Sequence, residues 1–254
     1  MKLDHFSFSS EALGNSRMIR VLYPEDTRRH YPVLYVHDGE FAFRRDTPKD
    51  YESMELDLAL AKREMIIVSI AAQEWQTRTR EYSPFPWVNE AEKYLHPGEE
   101  EGQLYLEWLI RELMPYVESH YLVKKGRENT FMLGCSLGAV ITAYASGAYP
   151  NLFSKFGLCS LASWGNEGAF LSFLQKTNIP AKTHYFVRVG SEEGIPRDLT
   201  SLGTCYPALA EDFVSLLKQK GITNIDFKLN EGFHHKTIAW SKDMPAFIDF
   251  LFKK

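Results

Sequence analysis

A serine between two glycines is the clearest candidate for chemistry in this sequence. Residues 130–138 read Thr-Phe-Met-Leu-Gly-Cys-Ser-Leu-Gly, and small and apolar residues follow at helical spacing. This pattern is typical of a nucleophile elbow, a sharp turn from a buried strand into a helix that presents a serine at the edge of a sheet. We therefore predict that Ser136 is a nucleophile. Gly134 and Gly138 are expected because side chains there would collide with neighbouring backbone.

A serine hydroxyl needs a base to take its proton, and the base needs a third group to hold it in the right tautomer. His234 and His235 follow the last predicted strand, on the same sheet edge as the serine. His184 begins a strand and so belongs to the opposite edge. The base is therefore predicted to be His234 or His235.

The orienting acid is expected after the strand that lies between the serine and the histidines. This strand ends at Gly190, and three acidic residues follow it: Glu192, Glu193 and Asp198. One of two adjacent glutamates can face a histidine while the other points to solvent. The resulting order of serine, acid and histidine along the chain is that of α/β-hydrolases.

A tetrahedral intermediate needs two N–H donors for its oxyanion. One is predicted to be the backbone N–H of Leu137, the residue after the nucleophile. The other is expected from the loop after the third strand, at Gly39, Glu40 or Phe41. A simple turn at this loop is an equally good interpretation of the spacing alone.

Strands and helices alternate along most of the chain and would bring these residues to one edge. A parallel sheet with helices on both faces is predicted, because this alternation requires crossover connections. Ligands of such sheets bind outside the carboxyl ends of the strands. The predicted strands are two within 6–23, then 31–37, 65–70, 130–133, 156–161, 184–190 and 225–229; the predicted helices are 51–62, 104–121, one after the elbow, 168–175, 206–220 and 238–252.

The segment 73–103 is long for a connection and rich in aromatic residues, which include Trp75 and Trp87. Connections of this length are usually functional or disordered, and the aromatic content argues against disorder. We predict a lid or pocket wall here, inserted in a single domain that spans residues 1–254.

Composition narrows the class of protein. The chain has 254 residues, 44% of them hydrophobic, and a net charge of -4, without a basic stripe that would bind nucleic acid. No apolar run reaches the length of a membrane span, and the N-terminus lacks the apolar segment of a signal peptide. Three cysteines form no metal-ligand spacing. A cytoplasmic location is predicted, with neither a metal nor a cofactor required.

Five segments together resemble the putative esterase family, a branch of the α/β-hydrolases. The family includes esterase D (S-formylglutathione hydrolase), feruloyl esterases, mycolyltransferase antigens and siderophore esterases. The resemblance implies an α/β-hydrolase fold and a serine esterase that acts on a small-molecule ester. The segments are 31–39, 80–84, 134–138, 190–193 and the stretch from the paired histidines to Trp240.

The resemblance also implies particular site residues. The acid of the family lies three residues after the glycine that ends the strand, which selects Glu193. Its histidine usually lies five residues before a tryptophan, and counting back from Trp240 gives His235. A second family pattern, Gly-x-His, gives His234 when it is counted from Gly232. We predict His235, because the helix pattern after it matches without a gap.

The leading hypothesis is a carboxylesterase for a small or medium acyl ester that works through an acyl-enzyme. In it Ser136, His235 and Glu193 form the triad, and Leu137 with the Gly39–Glu40 backbone binds the oxyanion. Trp164 resembles a pocket-wall position of the family, and the pocket is expected to involve Trp75, Trp87 and Trp164. The alternatives are thioester hydrolysis or acyl transfer by the same triad, and a binding protein with an inert site.

Overall fold

The computed structural model describes residues 1–88, 95–96, 98–194 and 206–253. Within these residues eight strands form one sheet, in the order β1-β2-β4-β3-β5-β6-β7-β8. The first two strands add to the sheet in antiparallel fashion, and the pairs from β4 to β8 are all parallel. The strands are β1 (Lys2–Ser10), β2 (Asn15–Tyr23), β3 (Val33–Val36), β4 (Ile66–Ile70), β5 (Thr130–Cys135), β6 (Lys155–Cys159), β7 (His184–Gly190) and β8 (Ile225–Asn230).

Helices cover both faces of this sheet, so the predicted mostly parallel sheet with helices on both sides is confirmed. Residues alternate along β3, where Val33 and Tyr35 enter one core cluster and Leu34 and Val36 enter the other. The helices are α1 (Leu56–Ala59), α2 (Trp75–Glu81), α3 (Gly102–Trp108), α4 (Met114–His120), α5 (Leu137–Ala148), α6 (Glu167–Lys176), α7 (Tyr206–Gln219), α8 (Thr237–Ser241) and α9 (Met244–Phe252).

The two faces differ in which helices cover them. Apolar residues of α3, α5, α6 and α7 pack in the first cluster, and those of α1 and α9 pack in the second. Strands β3 to β6 are buried on both faces, which explains why they appear in the sequence as apolar runs.

Three predicted helices differ from the observed ones. The helix predicted over 51–62 is only the four residues of α1, because Glu55 and Ala61 at its two ends have positive φ angles of 56° and 48°. The helix predicted over 104–121 is α3 and α4 joined by a π turn at Leu109–Leu113, directly before Pro115. The helix predicted over 238–252 is divided into α8 and α9, because Pro245 has no N–H for a continuous helix.

No helix in the described parts of the chain combines the length and the apolar character that a bilayer span requires. Cys135 and Cys159 carry buried free thiols at the ends of neighbouring strands.

The turn from β5 into α5 is as sharp as the sequence predicts. Ser136 has φ 58° and ψ -125°, outside the regions that most residues adopt. A Cβ at Gly134 would collide with the backbone carbonyl of Gly138, so a side chain is excluded there. A Cβ added at Gly138 would lie nearest to side-chain atoms of Asp38 and His37, and not to backbone as predicted. Side chains therefore restrict this position.

Replacing Gly134 with alanine should lower the free energy of unfolding by about 2–3 kcal/mol, because the added methyl group overpacks the turn. Urea denaturation measures the change. The matched control is Gly168→Ala in α6, where an added Cβ meets no atom within 4 Å. There we expect no loss, or a gain of up to ~1 kcal/mol from the better helix propensity of alanine. Equal effects at the two positions would contradict this account of the turn.

Candidate active site

Three side chains from different strand ends form one hydrogen-bonded row. The Nε2 atom of His235 lies 3.0 Å from Ser136 Oγ, and its Nδ1 atom lies 2.9 Å from Glu193 Oε2. The Glu193 side chain is 1% exposed, and the His235 side chain is 30% exposed. A carboxylate can only accept, so Nδ1–H donates to it and Nε2 is left to accept the serine proton. The arrangement can therefore withdraw a proton from Ser136.

The buried carboxylate of Glu193 is satisfied at both oxygens. Its Oε1 atom accepts the backbone N–H of Gly190 at 2.8 Å and the hydroxyl of Ser160 at 2.8 Å. Ser160 has a positive φ of 56°, and its Oγ atom accepts the Trp240 indole N–H at 2.7 Å. The Trp240 ring also meets the His235 ring edge-on, with centroids 5.2 Å apart. These contacts fix the carboxylate while it faces the imidazole.

Close backbone contact brings the acid loop and the histidine loop together. A Cβ at Gly190 would collide with the carbonyl of Phe233, two residues before His235. The same carbonyl accepts the N–H of Glu192 at 3.0 Å. The glycine at the end of β7 is therefore what allows the loop after β8 to reach the acid.

The structure brings together one residue of each predicted pair. His235 and Glu193 are in the row, whereas the side chains of His234 and Glu192 lie exposed. Asp198, the third acid candidate, lies outside the described residues.

The predicted oxyanion donors lie at two short turns. Leu137 is the first residue of α5, where N–H groups have no partner within the helix. Gly39–Phe41 form a 3₁₀ turn in which the Phe41 N–H is used, since it donates to the carbonyl of Asp38 at 3.1 Å. The Arg20 guanidinium donates to the Gly39 carbonyl and so holds this turn against β2.

An ion pair that the sequence analysis did not find anchors the same turn. Arg78 of α2 donates twice to Asp38, with Nε to Oδ1 at 2.6 Å and Nη2 to Oδ2 at 2.8 Å. Asp38 has a positive φ of 53°, and its N–H donates to the Tyr82 hydroxyl at 3.2 Å. Burial works against the charge of Arg78, but Asp38 raises the pKa of the guanidinium overall. The pair thus fixes the backbone directly before Gly39 and Glu40.

A buried polar layer lies behind this ion pair. His37 Nδ1 lies 2.9 Å from the Tyr105 hydroxyl, and burial lowers the pKa of His37 to about 4. Arg17 donates to both carboxylate oxygens of Glu81 at 2.7 and 2.9 Å, and both side chains are almost completely buried. Since Glu81 is the last residue of α2, this pair ties the helix that carries Arg78 to the sheet.

An aromatic wall leads from the segment 73–103 to the histidine. Trp87 is buried, donates to Ser83 Oγ at 2.8 Å, and packs edge-on against Trp164 with centroids 5.0 Å apart. The Trp164 indole donates to the Tyr206 hydroxyl at 3.3 Å, and the Tyr206 ring lies 4.6 Å from that of His235. Trp164 is therefore next to the site, and Trp87 lies behind it.

Trp75 differs from the other two tryptophans. It is 57% exposed, and its ring centroid lies 5.9 Å from the Arg78 guanidinium. Residues 89–94 and 97 of the predicted lid lie outside the described residues. Among the described residues, no group of three or more histidine, cysteine or acidic side chains could hold a metal ion.

Comparison with known proteins identifies the family. A family model described as "Putative esterase" matches residues 10–247. The chain belongs to the putative esterase family. This esterase is 25% identical over 252 residues to the uncharacterized protein YbbA of Bacillus subtilis (strain 168), a match that covers 98% of this chain and 97% of YbbA.

Solved structures share the fold of this esterase. A ferulic acid esterase matches with a TM-score of 0.71 and 18% identity, over 98% of this chain and 97% of its own. The enterobactin esterase FES from Shigella flexneri matches with a TM-score of 0.74 and 17% identity, over 98% of this chain and 58% of its own. The predicted α/β-hydrolase fold and the resemblance to this family are confirmed.

Replacing Arg78 with glutamine should lower kcat by about 10–100-fold with little change in KM, because a turn displaced by about 1 Å no longer fits the transition state. Rates of ester hydrolysis at saturating and at limiting substrate concentrations distinguish an effect on kcat from an effect on KM. The matched control is Arg80→Gln in the same helix, since Arg80 is 35% exposed and lies 3.6 Å from its partner Glu101. For Arg80→Gln we expect kcat to stay within about twofold of wild type. Equal losses of kcat in the two variants would exclude the anchoring role of Arg78.

The low pKa of His37, about 4, predicts a pH-dependent stability. In the unfolded chain His37 has its ordinary pKa of about 6.5. Between that pH and about pH 4 the unfolded chain therefore binds a proton at His37 and the folded chain does not. The free energy of unfolding should therefore fall as the pH falls, by about 3 kcal/mol from this group. Urea denaturation at pH 7 and pH 4.5 tests this against His37→Asn, which cannot titrate. A wild-type protein that loses no more stability than the variant would refute the prediction.

Proposed function

We propose that this esterase is a serine carboxylesterase in which Ser136, His235 and Glu193 act as a catalytic triad. The observation that carries the proposal is the unbroken row of hydrogen bonds from the serine oxygen, through both ring nitrogens, to a buried carboxylate. A nucleophile, a base and an orienting acid in this order are what acyl transfer requires.

The first half-reaction forms an acyl-enzyme. His235 Nε2 takes the proton of Ser136 while Oγ attacks the ester carbonyl carbon, and the carbonyl electron pair moves onto oxygen. Glu193 stabilises the imidazolium without taking its proton. The N–H groups of Leu137 and of the Gly39–Glu40 turn bind the oxyanion, a contribution of about 3–4 kcal/mol for each donor.

The tetrahedral intermediate then collapses. The bond between the carbonyl carbon and the alcohol oxygen breaks, and the leaving oxygen takes the proton from His235. Water attacks the acyl-enzyme in the second half-reaction, with His235 again as the base, and the acid product leaves Ser136 free. All proton transfers pass through groups of the chain itself, so the steps need no metal or cofactor.

The aromatic wall supports a substrate with a small or medium acyl group and an apolar surface. Tyr206 lies beside the histidine and is bound by Trp164, Trp87 packs against Trp164, and Trp75 lies beside Arg78. Aromatic and aliphatic groups both fit such a wall. The cytoplasmic location stays a prediction from the sequence.

Substitutions at the triad should lower activity far more than substitutions at neighbouring residues. Ser136→Ala should lower kcat/KM on short-chain p-nitrophenyl esters by at least about 10⁴-fold, and His235→Gln by a similar factor, because the residues act as a unit. Glu193→Gln should lower it by about 10²–10⁴-fold. The measurements are initial rates together with labelling by a fluorophosphonate probe, which should modify Ser136 alone.

Matched controls lie next to two of these residues. His234→Gln and Glu192→Gln remove exposed side chains and should leave rates within about threefold of wild type. A Ser136→Ala protein as active as wild type would overturn the triad. Matched oxyesters and thioesters distinguish the related reactions, since a clear preference for thioesters would replace the carboxylesterase assignment with a thioesterase.

A further inference from the structure

A tyrosine outside the triad lies against the reacting groups. Tyr206, the first residue of α7, is 6% exposed, and its ring is tilted by 39° over the His235 ring with centroids 4.6 Å apart. Its hydroxyl accepts the Trp164 indole N–H at 3.3 Å. Burial raises the pKa of Tyr206, and the hydrogen bond from Trp164 is the largest effect that opposes this rise.

The direction of each hydrogen bond follows from chemistry. An indole N–H can only donate, so the Tyr206 oxygen is the acceptor for Trp164, and the tyrosine proton is available for another acceptor. Ser136 gives its own proton to His235, so the row from the serine to Glu193 does not use the proton of Tyr206.

The position of Tyr206 indicates where this donor acts during the reaction. Its ring lies on His235 and its hydroxyl is bound by Trp164, so the tyrosine belongs to the histidine side of the site. The oxyanion donors are in different elements, at the start of α5 and in the turn after β3. The leaving oxygen must approach the histidine to receive a proton. The Tyr206 side chain thus lies on the side from which the leaving oxygen approaches His235.

We propose that Tyr206 is a further catalytic residue, which donates a hydrogen bond to the leaving-group oxygen as the alcohol departs. The proposal rests on the triad proposed above. As the carbon–oxygen bond breaks, its electron pair moves onto the leaving oxygen, and His235 supplies the proton that makes a neutral alcohol. Tyr206 keeps its own proton throughout. Trp164 is a positioning residue, because it holds the tyrosine oxygen.

The test is a leaving-group series on one acyl group. Acetate esters of phenols and alkanols with decreasing acidity are compared by kcat/KM, which reports acylation. Tyr206→Phe keeps the ring on His235 and removes only the hydroxyl. We expect a loss of about threefold on p-nitrophenyl acetate, growing to about 10–100-fold on esters of poor leaving groups, where more charge develops on the oxygen. Trp164→Phe should show the same trend with a smaller slope.

A purely structural tyrosine would give another result. Packing damage lowers kcat/KM by the same factor for every ester. Parallel lines for wild type and Tyr206→Phe, in a plot of log kcat/KM against the pKa of the leaving group, would therefore overturn the proposal. The control is Tyr149→Phe at the far end of α5, which should change neither the rates nor the slope. Ser136→Ala is measured on the same series. If it were as active as wild type, both the triad and the role of Tyr206 would be overturned, whereas an inactive Ser136→Ala with parallel lines would overturn only Tyr206.

Discussion

The conformation of Ser136 is the constraint around which this edge of the sheet is built. A serine with φ 58° and ψ -125° is strained, a cost typically of about 1–3 kcal/mol. The turn is retained because Gly134 lets β5 and α5 approach, and because the Ser136 N–H donates to the Cys159 carbonyl of the neighbouring strand at 2.9 Å. The strained turn places the hydroxyl above the strand ends, where the loops of neighbouring strands can reach it.

Those loops come from five strands that are neighbours in the sheet, β3, β5, β6, β7 and β8. Each contributes one polar residue within five residues of the end of the strand, and the first three of these have positive φ angles. Such a bend turns the chain at once, so the side chain stays over the sheet edge instead of moving outward with the loop. The five residues are Asp38, Ser136, Ser160, Glu193 and His235.

The sequence was sufficient for those parts of the site that depend on strand order. Ser136 and the loops of Glu193 and His235 could be predicted because parallel strands end at one edge. The spacing to Trp240 selected His235, and the structure suggests why, since the Trp240 indole bonds the hydroxyl that holds Glu193. Arg78 and Tyr206 were missed because neither follows a predicted strand: Arg78 lies within α2, and Tyr206 begins α7. Likewise, glutamate and alanine rarely adopt a left-handed backbone, so the residue types at Glu55 and Ala61 did not indicate that α1 would be short.

Two histidines at this edge have opposite requirements. In the proposed mechanism His235 gains a proton during each half-reaction, and it has a carboxylate at one nitrogen and partial exposure to solvent. His37 stays neutral instead, because burial lowers its pKa to about 4. The Asp38 carboxylate opposes this effect, and the Arg78 and Arg17 charges add to it. Depth in the fold thus gives two identical side chains different environments, in which the proposed proton carrier reaches solvent and His37 stays buried and neutral.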